Sequence, residues 1–81
     1  MSQSFNIVKN ELNELPNNIE AEQSVIGSIL LSNEIFDEIS LLISSKNFYD
    51  PMHQKIYIAI ESLIYKGMLA NPITLKNHFE N

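Results

Sequence analysis

Eighty-one residues make one small domain, able to bury about 60–65% of the surface its unfolded chain exposes. With 44% apolar and 19% charged residues the chain is globular rather than disordered, and the absence of Cys excludes disulfides and thiolate metal sites. Ten acidic residues against five scattered lysines and no Arg give a net charge of −5, which excludes a basic stripe able to grip a nucleic-acid backbone unaided.

Residues 1–15 form a polar, Asn-containing leader with Phe5, Val8, Leu12 and Leu15 at three-and-four spacing. It lacks strong caps, so a loose arm is expected, with the helical domain spanning 16–81. The leader has no continuous apolar core of a signal peptide, and no run approaches the ~18 apolar residues of a membrane span. A cytoplasmic protein is expected.

Pro16 and the Asn17/Asn18 pair supply a stop followed by an N-cap, so a helix is predicted to run to Leu31. Glu20 and Glu22 place negative charge at the positive end of its dipole and read as solvated carboxylates. Val25, Ile26, Ile29 and Leu30 form its apolar stripe, and Ala21, Ser24 and Ser28 a second ridge of small side chains. Gly27 in mid-helix costs about 1 kcal/mol relative to Ala, which suggests close packing there, within the domain or between chains.

A second helix is expected from Asn33 to Ile43, with Ile35, Phe36, Ile39, Leu42 and Ile43 on one apolar face and Glu34, Asp37 and Glu38 outside it. Ser44-Ser45 ends it and can cap a single turn, Lys46 to Tyr49, that swings Phe48 inward. Asp50-Pro51 then starts the best-defined element, Pro51 to Lys66, whose stripe is Met52, Ile56, Ala59, Ile60 and Leu63 and whose stop is Gly67. Ile58 and Tyr65 fall about 180–200° away from Ile56, beside Gln54, Glu61 and Ser62. That spot is either a partner surface or a face covered by another helix or by the arm. A last helix opens at Asn71-Pro72 and carries Ile73, Leu75 and Phe79. The fold class is all-α, a small orthogonal bundle of four to five helices.

Catalytic patterns are sparse. There is no G-x-x-x-x-G-K-[ST] loop, and two glycines, Gly27 and Gly67, build no phosphate cradle. His53 and His78 are too few for a convincing metal site, and His53 reads as a partly buried side chain bonded to a carbonyl. No catalytic, cofactor or metal residue is assigned. One enzymatic alternative uses His53 with Asp50, one helical turn away, as a base pair.

The ordered series Asn18-Ile19-Glu20-Ala21-Glu22-Gln23-Ser24-Val25-Ile26-Gly27, Ser32-Asn33-Glu34, Phe48-Tyr49-Asp50-Pro51-Met52-His53, Ile56-Tyr57, Gly67 and Thr74-Leu75 resembles the N-terminal domain of the DnaB-type replicative helicases. Glu20, Ala21, Glu22, Gln23, Gly27, Pro51 and His53 carry that likeness in helix packing. Asn71-Pro72 departs from it, standing where the family has Asp and an apolar residue, and keeps the cap. The resemblance implies a non-catalytic helical head, linked in its parent to a RecA-like motor domain that uses ATP and Mg and contacts the DNA. It also implies partners: other copies in a hexameric collar, the C-terminal domain of primase, and a helicase loader. The family's pairing hairpin would begin beyond Asn81, so this chain is expected to be a monomer or to self-associate weakly; a tight hexamer by light scattering would contradict that. The alternative is an adaptor head such as the helicase-binding end of a primase, against which the opening Met1 counts.

Overall fold

The computed structural model describes residues 12, 13, 15 and 17–80; the remainder of the expected arm lies outside them. Among the described residues four α-helices are laid out: α1 (Ile19–Leu31), α2 (Phe36–Leu42), α3 (Pro51–Tyr65) and α4 (Pro72–Glu80). Two 3-10 turns, Asn33–Ile35 and Ser45–Asn47, sit between the first three, and no strand occurs among the described residues. The all-helical class expected from the sequence is the one found.

Three starts, those of α1, α3 and α4, follow the capping chemistry in the sequence, while α2 continues from a 3-10 turn without a side-chain cap. The Asn18 side chain accepts from the Ala21 N–H at 2.9 Å, and Asp50 accepts from the Met52 N–H at 2.8 Å with Pro51 opening the helix. Asn71 accepts from the Thr74 N–H at 2.9 Å while the Thr74 hydroxyl accepts from the Asn71 N–H at 2.9 Å, a reciprocal box that satisfies two otherwise orphaned donors. At the end of α3, Gly67 takes φ +78°, and the N–H groups of Gly67 and Met68 return to the carbonyls of Ile64 and Leu63, both at 2.9 Å. That pattern needs left-handed backbone at Gly67. Gly67→Ala should therefore cost about 1 kcal/mol, read as a lower urea midpoint at unchanged slope; an unchanged midpoint would show that the turn tolerates Cβ.

The core joins α1 through Val25, Ile26 and Ile29, α2 through Phe36 and Ile39, and α3 through Tyr57, Ala59, Ile60 and Leu63. Phe48 fills the space ahead of α3 as expected, and Leu75 is the buried residue of α4, leaving Ile73 and Phe79 exposed. Leu12 packs against the edge of the same cluster.

Several expectations need correction. The second helix begins as a 3-10 turn and ends at Leu42, because Ile43 turns extended and its carbonyl accepts the Tyr57 hydroxyl at 3.2 Å. Leu42 is exposed rather than in the core face. On α3 the buried stripe is rotated: Met52 is 56% exposed, whereas His53 and Tyr57 are buried because their polar ends find partners inside. The small ridge of α1 does not pack as a unit, since Ala21 is buried, Ser24 is exposed, and a Cβ built at Gly27 meets no atom within 4 Å. No close approach inside the described chain accounts for Gly27.

Asn33 supplies a tie that sequence spacing does not suggest. Its Nδ2 donates to the carbonyls of Ile29 (2.8 Å) and Ala70 (3.0 Å), while its Oδ1 accepts from the Ala70 N–H at 2.8 Å. The loop before α4 is thereby held to the end of α1, with Ala70 fully buried between them.

Candidate functional site: a buried Glu–His tie and the outer face of α3

Glu22 lies on the inner side of α1 with no solvent exposure. Its carboxylate accepts from the Tyr49 N–H, from the Asp50 N–H at 3.2 Å, and from the His53 Nδ1–H at 2.7 Å. A carboxylate is acceptor-only and a buried one needs several donors, and these three supply them. The negative charge also faces the N-terminal end of α3, where the helix dipole is positive. The solvated reading of Glu22 is thus overturned, while Glu20 is exposed as expected. His53 bonds to a carboxylate and not to a carbonyl.

The two densest parts of the sequence likeness, Glu20-Ala21-Glu22-Gln23 and Asp50-Pro51-Met52-His53, meet at this tie. Gln23 and Pro51 face solvent at its margins. A general base has to reach a substrate proton, and Glu22 is sealed from solvent on every side. The proposed His53–Asp50 base pair is not formed: Asp50 caps α3 while His53 turns to Glu22.

Beside the tie, the rings of Phe36 and Phe48 flank Tyr57 at centroid distances of 5.5 and 5.1 Å. Burial, then the negative charge of Glu61, then Tyr65, push the Tyr57 phenol up from 10.0 to about 12. Below pH 10 both folded and unfolded chains keep this proton, so the site's stability is fully present. Between pH 10 and 12 the unfolded chain releases it first, and stability falls by about 2 kcal/mol by pH 11.5. Tyr57→Phe should lose about 1 kcal/mol at pH 8, through the bond to Ile43, yet show a smaller alkaline loss than the parent. Equal losses from pH 8 to 11.5 in both proteins would refute the assignment.

The outer face of α3 has different chemistry. Ile58 and Tyr65 are 51% and 72% exposed, and the Tyr65 ring rests edge-on to Phe36 at 6.4 Å. Glu61 and Ser62 are half-buried between them. Gln54 is committed to the fold, its Nε2 donating to the Phe48 carbonyl at 2.7 Å. Lys55 and Lys66, exposed and eleven residues apart, fall within about 20° of each other around the helix and line one edge of the apolar seam. Scattered along the sequence, the two lysines share a side of the helix only through their eleven-residue spacing. Among the described residues the only ion pair is Glu22–His53, and neither lysine is paired with a described carboxylate.

The structure thus defines a small helical head whose polar interior braces the fold and whose unpaired chemistry lies on a helix surface. The chain belongs to the DnaB-like helicase N terminal domain family, whose model matches residues 14–81. It is 48% identical over 63 residues to the replicative DNA helicase DnaB of Rickettsia typhi, covering 78% of this chain and 13% of that protein. It is 43% identical over 70 residues to the DnaB of Buchnera aphidicola subsp. Baizongia pistaciae, covering 86% of this chain and 15% of that protein. The DnaB of Mycobacterium leprae is 38% identical over 60 residues, covering 74% of this chain and 10% of that protein. The chain thus spans 10 to 15% of the length of these relatives. A search of solved structures gives no significant match. Both the family model and the relatives stand on the helicase side of the helicase-or-primase alternative. No helix among the described residues is long and apolar enough to cross a membrane.

Proposed function

We propose that this chain is the non-catalytic N-terminal head of a replicative DNA helicase, acting by protein contact while a separate motor domain uses ATP and Mg and holds the DNA. The observation that carries the reading is the family match over residues 14–81, which joins the chain to proteins named replicative DNA helicase DnaB. A net charge of −5 without Arg supports leaving DNA contact to another domain. The head serves in collar assembly and in docking the C-terminal domain of primase and a loader in the cytoplasm. The outer face of α3, with Gln54, Ile58, Glu61, Ser62 and Tyr65, is the surface this reading assigns to protein contact, and the Glu22–His53 tie holds α3 in place beneath it.

The test is calorimetric titration of the 81-residue chain with the C-terminal domain of the primase from the same genome. A dissociation constant in the micromolar range, about −8 kcal/mol, is expected, with no nucleotide turnover by the chain alone. Heats of dilution only, up to several hundred micromolar, would remove primase docking from the reading.

A further inference from the structure

Where the end of α3 meets α4 the fold leaves a cavity of about 180 Å³, lined by Leu63, Lys66, Met68, Thr74, Asn77 and His78. It lies at the opposite end of α3 from the Glu22–His53 tie and apart from the outer seam, Leu63 standing about 140° round the helix from Ile58. Buried Leu63 and Met68, 49% exposed, give the cavity an apolar wall. Lys66, Asn77 and His78 bring N–H donors to it, and among the described residues no side-chain hydrogen bond or ion pair engages any of the three. Thr74 differs, because its hydroxyl is committed to the turn that opens α4. No carboxylate lines the space. Glu61 is turned about 140° from Lys66, and Glu80, about 60° from Asn77, shares its side of α4 with Lys76 one turn earlier.

An apolar wall beside unengaged donors and one positive charge fits a ligand that brings a small apolar group and a negative charge together. The volume is the share of about six water molecules, so it takes the side chain and one carboxylate of a single aliphatic residue. Drug-sized ligands and cofactors need pockets of about 300 Å³ or more. In an extended peptide successive side chains point to opposite faces, so an apolar residue and an acidic neighbour do not enter one small cavity together. A C-terminal residue carries both groups on one Cα. We propose that this cavity captures the C-terminus of a partner protein, a branched aliphatic last residue seating against Leu63 and Met68 while its α-carboxylate accepts from the Lys66 ammonium and the Asn77 and His78 N–H groups. Leu69, next to Met68, and Ile73, one turn before Asn77, are 63% and 71% exposed and give the residues upstream an apolar bed. Lys66 is solvent-exposed, so capture of an isolated tail is weak. The chain's net −5 is diffuse and screened beyond about 8–10 Å, whereas Lys66 acts in contact.

The inference rests on the proposed function only in taking the head to work by protein contact. Its test is amide NMR of the isotope-labelled 81-residue chain in low salt, titrated to about 20 mM with the peptide acetyl-Ala-Val-Ser-Leu bearing either a free C-terminus or a C-terminal amide. Shifts confined to residues 63–69 and 73–78 are expected, with a dissociation constant on the order of 1 mM for the free acid and at least tenfold weaker binding of the amide. Lys66→Gln should bring the two peptides within threefold of each other by loss of free-acid binding alone, and Met68→Ser should weaken the free acid at least fivefold. Because both side chains are exposed, circular dichroism of the two variants should match the parent. The small acid 4-methylpentanoate, which has the same isobutyl group and carboxylate without a peptide, should bind at least fivefold more weakly than the free-acid peptide.

No shifts, shifts on another face, equal binding of acid and amide, or a preference unmoved by Lys66→Gln would overturn the proposal. Binding of 4-methylpentanoate as tight as that of the peptide would assign the cavity to a free small acid and overturn it equally. Failure of both peptides would leave the primase titration, and with it the proposed function, unaffected. Failure of primase to bind would leave the acid-over-amide preference, and with it this cavity, to stand.

Discussion

Glu22→Ala should lower the melting temperature of this domain by at least about 12 °C and leave a large unfolded fraction at 37 °C. The substitution strips the Tyr49 N–H, the Asp50 N–H and the His53 ring N–H of their common acceptor at a point sealed from water. Leaving three buried donors without their common acceptor costs about 3–5 kcal/mol, because the groups left behind stay desolvated. A domain of this size has about 4–12 kcal/mol in total, and each kcal/mol shifts its melting point by about 4–8 °C. Glu22→Gln should cost less, since one oxygen still accepts while the new amide opposes an N–H donor. His53→Gln should cost least, because the two backbone donors keep their carboxylate. Thermal melts of the three variants test this order, and a Glu22→Ala protein melting within 2 °C of the parent would remove Glu22 from its structural role.

That role explains what could and could not be read from the sequence. Caps and stops are local: Asn18 reaches Ala21, Asp50 reaches Met52, Asn71 pairs with Thr74, and Gly67 closes α3 within one turn, so α1, α3 and α4 were legible at their ends, whereas uncapped α2 was legible only from its apolar spacing. The partners of Glu22 lie 27, 28 and 31 residues away, and those of Asn33 at Ala70 lie 37 away; no periodicity encodes them. The Glu22 error arose because a first-turn acid has a sufficient local explanation in the helix dipole. The rotation of the α3 stripe has the same origin. Hydropathy favours burying Met52 over His53, but a buried carboxylate and an interior carbonyl satisfy His53 and Tyr57, and Met52 loses the inner position. Gly27 shows the opposite failure: glycine in mid-helix suggested a neighbour, and the described residues place none there. The outer face of α3 was half legible. Its apolar pair follows from the helical wheel, while its charged edge appears only when Lys55 and Lys66 are placed on one line and found unpaired.

Phe48→Ala should be the second severe lesion, costing about 3–5 kcal/mol by opening a cavity where the turn before α3 meets the core. The ring is 1% exposed, stacks obliquely on Tyr57 at 5.1 Å and meets the His53 ring edge-on at 6.4 Å, so its loss frees both neighbours at once. Phe79→Ala, on the half-exposed side of α4, is the matched control and should change stability by less than about 0.5 kcal/mol. Urea titrations should show a lower midpoint at unchanged slope for Phe48→Ala and no resolvable change for Phe79→Ala. Equal midpoints for the two would place the core elsewhere. Combining Phe48→Ala with Glu22→Ala adds a sharper requirement. Both side chains fix the start of α3, one through the N–H of Tyr49 and the other through its contact with His53. Once either is gone that end has already loosened, so the double variant should lose measurably less than the sum of the singles. Strict additivity would mean that the buried carboxylate and the aromatic cluster support α3 independently.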